Sequence, residues 1–86
     1  MSKYEFSYNI WPERNVELFK QYLEILKNIP KCKLKGNILE DIDGSLLGIF
    51  KLKGKNIVLK DDEYVGALYI DSEIDISKYL PVRPNT

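Results

Sequence analysis

At Pro30 the hydrophobic period of the chain changes, and that switch constrains the fold more than any other feature of the sequence. From there to Ile70 apolar residues recur at every second position, in runs cut by DIDG, KGKN and KDDE. Period-two alternation is the pattern of strands with one face on a core, and Gly/Asp/Asn-rich breaks between such runs read as tight turns. Strands joined by tight turns pair antiparallel with their neighbours. The expected strands are 32–40, 45–53, 56–60 and 63–70, with SEIDI as a candidate fifth.

Before Pro30 the pattern is different. KYEFSYNI alternates, with Tyr4, Phe6, Tyr8 and Ile10 on one side, and predicts a half-buried strand. Val16, Phe19, Leu23 and Leu26 then interleave with Leu18, Tyr22, Ile25 and Ile29 at helical spacing, which gives a wide apolar face. Pro12 suits a first turn, Glu13 and Glu17 the positive end, Lys27 the last turn and Pro30 a stop. A helix is therefore expected over 12–28. A chain of 86 residues can bury roughly 60–65 % of its unfolded surface, enough for one core under one layer of helix. The expected fold class is α+β: an N-terminal strand, one amphipathic helix, then an antiparallel β-meander of four or five strands with the helix packed on one face. It forms a single domain over 1–80, followed by an irregular tail, 81–86. Cystatin-like folds share this element order, but the cystatin motifs are missing, so the likeness is one of topology and implies no protease inhibition.

Turn chemistry decides which side chains share a face, because a one-residue slip moves every side chain across the sheet. A two-residue Asp43-Gly44 turn would mix apolar and charged residues on both faces. A three-residue loop, Ile42-Asp43-Gly44 with Gly44 left-handed, sorts them. Leu34 then meets Leu52, Gly36 meets Phe50 and Ile38 meets Gly48, while Lys35 meets Lys51 and Lys33 meets Lys53 on the other side. A Gly54-Lys55 turn next pairs Leu52 with Ile57 and Phe50 with Leu59. An Asp61-Asp62 turn pairs Leu59 with Tyr64 and Lys60 with Glu63. The inner face then carries Leu34, Ile38, Leu46, Phe50, Leu52, Ile57, Leu59, Tyr64, Leu68 and Ile70 under the helix.

One helix covers one face. The other face should be polar, yet it is expected to carry Leu39 beside Leu47, Ile49, Val58 beside Val65, Ala67 and Tyr69. An exposed apolar area rimmed by charge marks an interface. The candidate binding residues are therefore Leu47, Ile49, Val58, Val65 and Tyr69, with Lys33, Lys35, Lys51 and Lys53 as a charged rim. These lysines belong to two ladders, KCKLK and KLKGK, whose six lysines stand in a chain of formal net charge zero. Like charges directly opposite each other cost about 0.2–1 kcal/mol per pair. Asp71, Glu73 and Asp75, at the same end, are the internal candidates to offset that cost; an anionic partner is the external one. Glu40, Asp41 and Asp43 fall near Asp61, Asp62 and Glu63 at the opposite end, so the neutral chain is bipolar.

Catalytic chemistry is poorly represented. The chain has no His, the commonest acid–base group and metal ligand. Cys32 is alone, so an internal disulfide is impossible and a reducing, cytoplasmic setting is favoured. Its place on the inner strand face makes it a core residue. GSLLG lacks the Lys and Ser/Thr of a phosphate loop, and DIDG lacks the ligand spacing of a calcium loop. No cofactor or metal is expected. No apolar run is long enough for a membrane span, and MSKYEFSYNIW lacks a signal-peptide pattern.

The expectation is a small non-enzymatic protein-binding module that occludes its partner, as an inhibitor, an immunity protein or a phage-encoded antagonist would. The Lys-, Ile-, Asn- and Tyr-rich composition suits an AT-rich genome, such as that of a low-GC bacterium, an archaeon or a virus. The expected partner is another protein, or a second copy in a homodimer. Two rival readings use the same residues. One is a nucleic-acid binder working through the Lys-rich sheet end, disfavoured by scarce Arg and by Tyr69 as the only aromatic of that face. The other is a homo-oligomeric structural subunit. Trp11, at the strand-to-helix junction, is expected to cap the core.

Overall fold

The structure of the protein, a computed structural model, describes residues 4–81. Helix α1 (Val16–Lys27) begins at Asn15 and not at Pro12. The Asn15 backbone is extended, and its side-chain Oδ1 accepts the Leu18 N–H at 3.0 Å. That bond satisfies one of the amides that a first helical turn leaves open. Phe19, Tyr22 and Leu26 are buried at helical spacing, and Lys27 occupies the last turn as expected. The chain then turns at Ile29–Pro30–Lys31–Cys32, where the Cys32 N–H donates to the Ile29 carbonyl and Lys31 takes a left-handed φ of 67°.

Six strands form one antiparallel sheet: β1 (Phe6–Trp11), β2 (Cys32–Leu34), β3 (Leu39–Glu40), β4 (Leu46–Leu52), β5 (Lys55–Asp62) and β6 (Ala67–Ser72). Their order is β1-β6-β5-β4-β2, with β3 also paired to β4. The N-terminal strand thus lies beside the last strand of the meander. The expected strand 32–40 is two short strands on the same edge of β4, parted at Gly36 with φ +74°. Within the break, Ile38 comes down on Gly48: a Cβ at Gly48 would stand 3.0 Å from Ile38 Cδ1. SEIDI forms no strand of its own: its Ser72 ends β6, and the residues after it are irregular.

The registers correct three sequence expectations. The Ile42-Asp43-Gly44 loop is as expected, with Asp41 N–H donating to the Ser45 carbonyl and Gly44 at φ +89°. Leu39 faces Leu47, as expected. Beyond the break, however, β2 has slipped by two residues: Leu34 faces Phe50 and Lys33 faces Lys51. The β4–β5 turn is Lys53-Gly54, both left-handed (φ 54° and 78°), so Leu52 faces Lys55 and Phe50 faces Ile57. That is the two-residue turn whose twist matches a hairpin. The β5–β6 turn is a four-residue loop, Glu63 to Gly66, and not Asp61-Asp62; Leu59 faces Ile70. Asp62 holds this loop by accepting the Tyr64 and Val65 amides on Oδ1. Tyr64, expected on the inner face, stands on the loop and is exposed.

All three slips are even, so the faces survive. Phe50, Leu52, Ile57, Leu59, Leu68 and Ile70 are buried under the helix, with Cys32 among them. The segment after β6 closes the same side. Ile76 is fully buried, while Ile74, Tyr79 and Leu80 pack against the core. Tyr8 fastens this segment: its hydroxyl donates to Asp75 Oδ1 at 3.0 Å and accepts the Ile76 N–H at 3.0 Å. Of the expected tail, 82–86 lies outside the described residues.

Candidate protein-interaction face

Both the helix and the described C-terminal segment pack on the inner side of the sheet. The outer side is built in rows across the strands. Its middle row runs Ile49, Val58, Asp71, Ser7. The next row toward the DIDG end runs Leu39, Leu47, Lys60, Tyr69, Asn9, and the row beyond it pairs Asp62 with Ala67. On the other side of the middle row lie Lys33, Lys51 and Asn56. Leu47, Ile49, Val58 and Tyr69 are partly exposed and share this surface, joined by Leu39, which is half exposed.

Val65 does not belong with them. It sits in the β5–β6 loop, 60 % exposed, and Val58 faces Asp71 in its place. Trp11 does not cap the core either: it is 44 % exposed and lines a shallow cleft of about 240 Å³ with Asn9, Ile10, Pro12 and Ala67.

The lysine rim is present, with altered pairing. Lys33 faces Lys51 directly, Lys53 forms the β4–β5 turn, and the Lys35 N–H donates to the Ile49 carbonyl at 2.7 Å. All four are exposed, and among the described residues none is ion-paired to a carboxylate. The internal candidates for neutralisation are engaged by neutral donors. Asp71 accepts from the Ser7 hydroxyl, Glu73 from the Asn56 N–H at 2.6 Å, and Asp75 from Tyr8 and the Ser77 N–H. The Lys33–Lys51 contact is therefore not offset by a direct ion pair.

The opposite end is acidic and organised by a residue the sequence reading passed over. Arg14, in the loop before α1, places Nε 3.1 Å from Asp61 Oδ2 and donates through Nη1 to Glu63 Oε1 at 2.8 Å. Its Nη2 donates to the Gly44 carbonyl at 2.8 Å, so one guanidinium joins both turns of this end to the helix start. The Glu63 contact leads in raising the Arg14 pKa further. The signal available was an Arg directly before the helix-capping Asn15, in a chain with two acidic turns.

Asp62 forms the second node. Burial pushes its pKa up, but the Val65 amide, the Tyr69 hydroxyl and Lys60 outweigh burial and hold it below the usual carboxylate range. Tyr69 donates to Asp62 Oδ2 at 2.9 Å; burial first, then this bond, pushes its phenol up to about 12. Beside this node lies a cleft of about 250 Å³ lined by Leu39, Glu40, Asp41, Ser45, Leu47 and Lys60. Leu39, Leu47 and Lys60 reach it from the outer face, and Asp41 borders it.

Cys32 is buried, and burial pushes its thiol up, away from the thiolate a nucleophile needs. Among the described residues no group of three or more His, Cys, Asp or Glu is placed to hold a metal ion. No helix there is long and apolar enough to cross a membrane. No protein-family model, curated protein or solved structure matches this chain.

Proposed function

We propose that this is a small non-enzymatic protein-binding module whose contact surface is the outer face of the sheet. One observation carries the reading. Leu39, Leu47, Ile49, Val58 and Tyr69 line a face on which neither the helix nor the described C-terminal segment packs, since both lie on the other side. Apolar area of this kind, rimmed by charge, is what protein contacts use. Binding by such a flat face acts by occlusion, the mode of an inhibitor, an immunity protein or a phage-encoded antagonist in a bacterial or viral setting. The lone buried thiol suits a cytoplasmic site of action.

Nucleic-acid binding through Lys33 and Lys51 is the second reading, favoured by their facing each other with no ion pair among the described residues. The two separate by substitution. Protein binding predicts that Ile49→Asp abolishes capture of a discrete partner from nuclease-treated extract, with Lys51→Glu less damaging. Nucleic-acid binding predicts the reverse order and retention that salt removes. Capture that survives both substitutions contradicts the proposed surface.

A further inference from the structure

We infer that the partner of the outer face is a second copy of this chain, held in a two-fold dimer whose axis runs across the strands. The inference rests on the reading of that face as a protein interface and names what meets it. The chain carries formal net charge zero, so two copies approach without long-range repulsion. Its charges are divided along the strands, and β2 and β3 place both extremes on one edge of β4. At one corner Lys33 faces Lys51, with no ion pair to either among the described residues. At the other lies the cleft lined by Leu39, Leu47 and Asp41, while Glu40, opposite Leu46, turns to the inner side.

A two-fold axis between two stacked sheets, along the Ile49–Val58 row, reverses the strand direction. Ile49 and Val58 then lie against their own copies, and so does Asp71 of the same row, a like-charge contact tempered by the Ser7 hydroxyl it accepts from. The lysine corner of each molecule falls over the Leu39–Leu47 row and its acidic rim in the other. A lysine suits that cleft, since its aliphatic stem can lie on leucine while its ammonium meets carboxylate. The cleft's own cation, Lys60, is already 3.4 Å from Asp62. An axis along the strands would instead set like ends together. At about 3.3 Å per residue and about 4.8 Å per strand the face measures roughly 20 by 20 Å. That is about 800 Å² over both copies, below the roughly 1,000 Å² of a stable interface, so a weak dimer with a dissociation constant of about 100 μM is expected.

Sedimentation equilibrium at hundreds of micromolar protein tests the dimer, with circular dichroism confirming that each variant is folded. Wild type should approach twice the monomer mass. Ile49→Asp should remain monomeric, as should a Lys33→Glu/Lys51→Glu variant and an Asp41→Lys variant when each is alone. Mixing the two charge variants should restore the dimer, because both corner contacts become complementary only in the mixed pair. A monomeric wild type, a dimer that survives Ile49→Asp, or a mixture that stays monomeric overturns the inference. If wild type is monomeric yet captures an extract protein that Ile49→Asp loses, self-pairing fails and the interface reading stands. If no such protein is captured either, both fail.

Discussion

Asp61 is fully buried, and its carboxylate is matched there by Arg14 Nε at 3.1 Å and by the Asn15 N–H at 3.1 Å. Removing one partner of a buried pair strands the other charge, at a cost of about 3–5 kcal/mol. Arg14 is one-quarter exposed, so water can reach part of the site and the lower end applies. Arg14→Ala should lower the urea unfolding free energy by about 3 kcal/mol. Arg14→Lys should recover only part of it, since an ammonium cannot reach Asp61, Glu63 and the Gly44 carbonyl together. A loss under about 1 kcal/mol would place this pair with ordinary surface bridges. Tyr69 makes a pH prediction. Its phenol is raised to about 12, against about 10 in an unfolded chain. Between those values the folded state holds the proton that the unfolded state has lost, so this stabilisation is full below pH ~10 and lost as pH rises toward ~12. Absorbance titration of tyrosinate should show a late step that Tyr69→Phe removes. The depressed carboxyl of Asp62 works at the other extreme: its contribution is present above the usual carboxylate range and disappears as pH falls through its lowered value.

The β4–β5 hairpin turns on Lys53, a non-glycine residue at φ 54° followed by Gly54 at φ 78°. Left-handed backbone is strained for a residue with a Cβ, and Asn is the residue that tolerates it best at this turn position. Lys53→Asn should therefore raise stability by about 0.5–1 kcal/mol, read as a higher urea midpoint at unchanged slope; a drop would mean that Lys53 contributes more than the turn geometry costs. The same hairpin shows what was legible in the sequence. The faces were, because alternation has period two and Phe50, Ile57, Leu59 and Ile70 stay inside after any even slip. The pairings were not. KGKN permits turns at Gly54-Lys55 or Lys53-Gly54, which differ by two residues and leave the same residues inside. The long β5–β6 loop depends on Asp62 collecting two amides and a tyrosine hydroxyl, a closure no composition rule foresees. That loop removed Val65 and Tyr64 from the positions expected of them. The helix start was legible in principle, since Asn15 directly precedes the first periodic residue; Pro12 was the stronger-looking but weaker signal.

Over the whole molecule, the apolar outer face and the split charge are the two features that need each other. Of the candidate site, Leu47, Ile49, Val58 and Tyr69 could be grouped from alternation alone, whereas the cleft between Leu39 and Leu47 and the Arg14 hub depend on contacts distant in sequence. Self-pairing through opposed ends should weaken with salt, because the screening length falls from about 10 Å at 0.1 M to about 3 Å at 1 M. The dimer fraction should drop several-fold over that range without vanishing, since the Ile49–Val58 row contributes a salt-insensitive part; an unchanged fraction would leave the charges no role. The most direct measurement is a methyl NMR spectrum followed from low micromolar to millimolar protein. The account predicts concentration-dependent shifts at the methyls of Leu47, Ile49 and Val58, tracking one another, while those of Ile57, Leu59 and Ile70 on the inner face stay still. Stationary outer-face methyls, or shifts confined to the inner face, would contradict it.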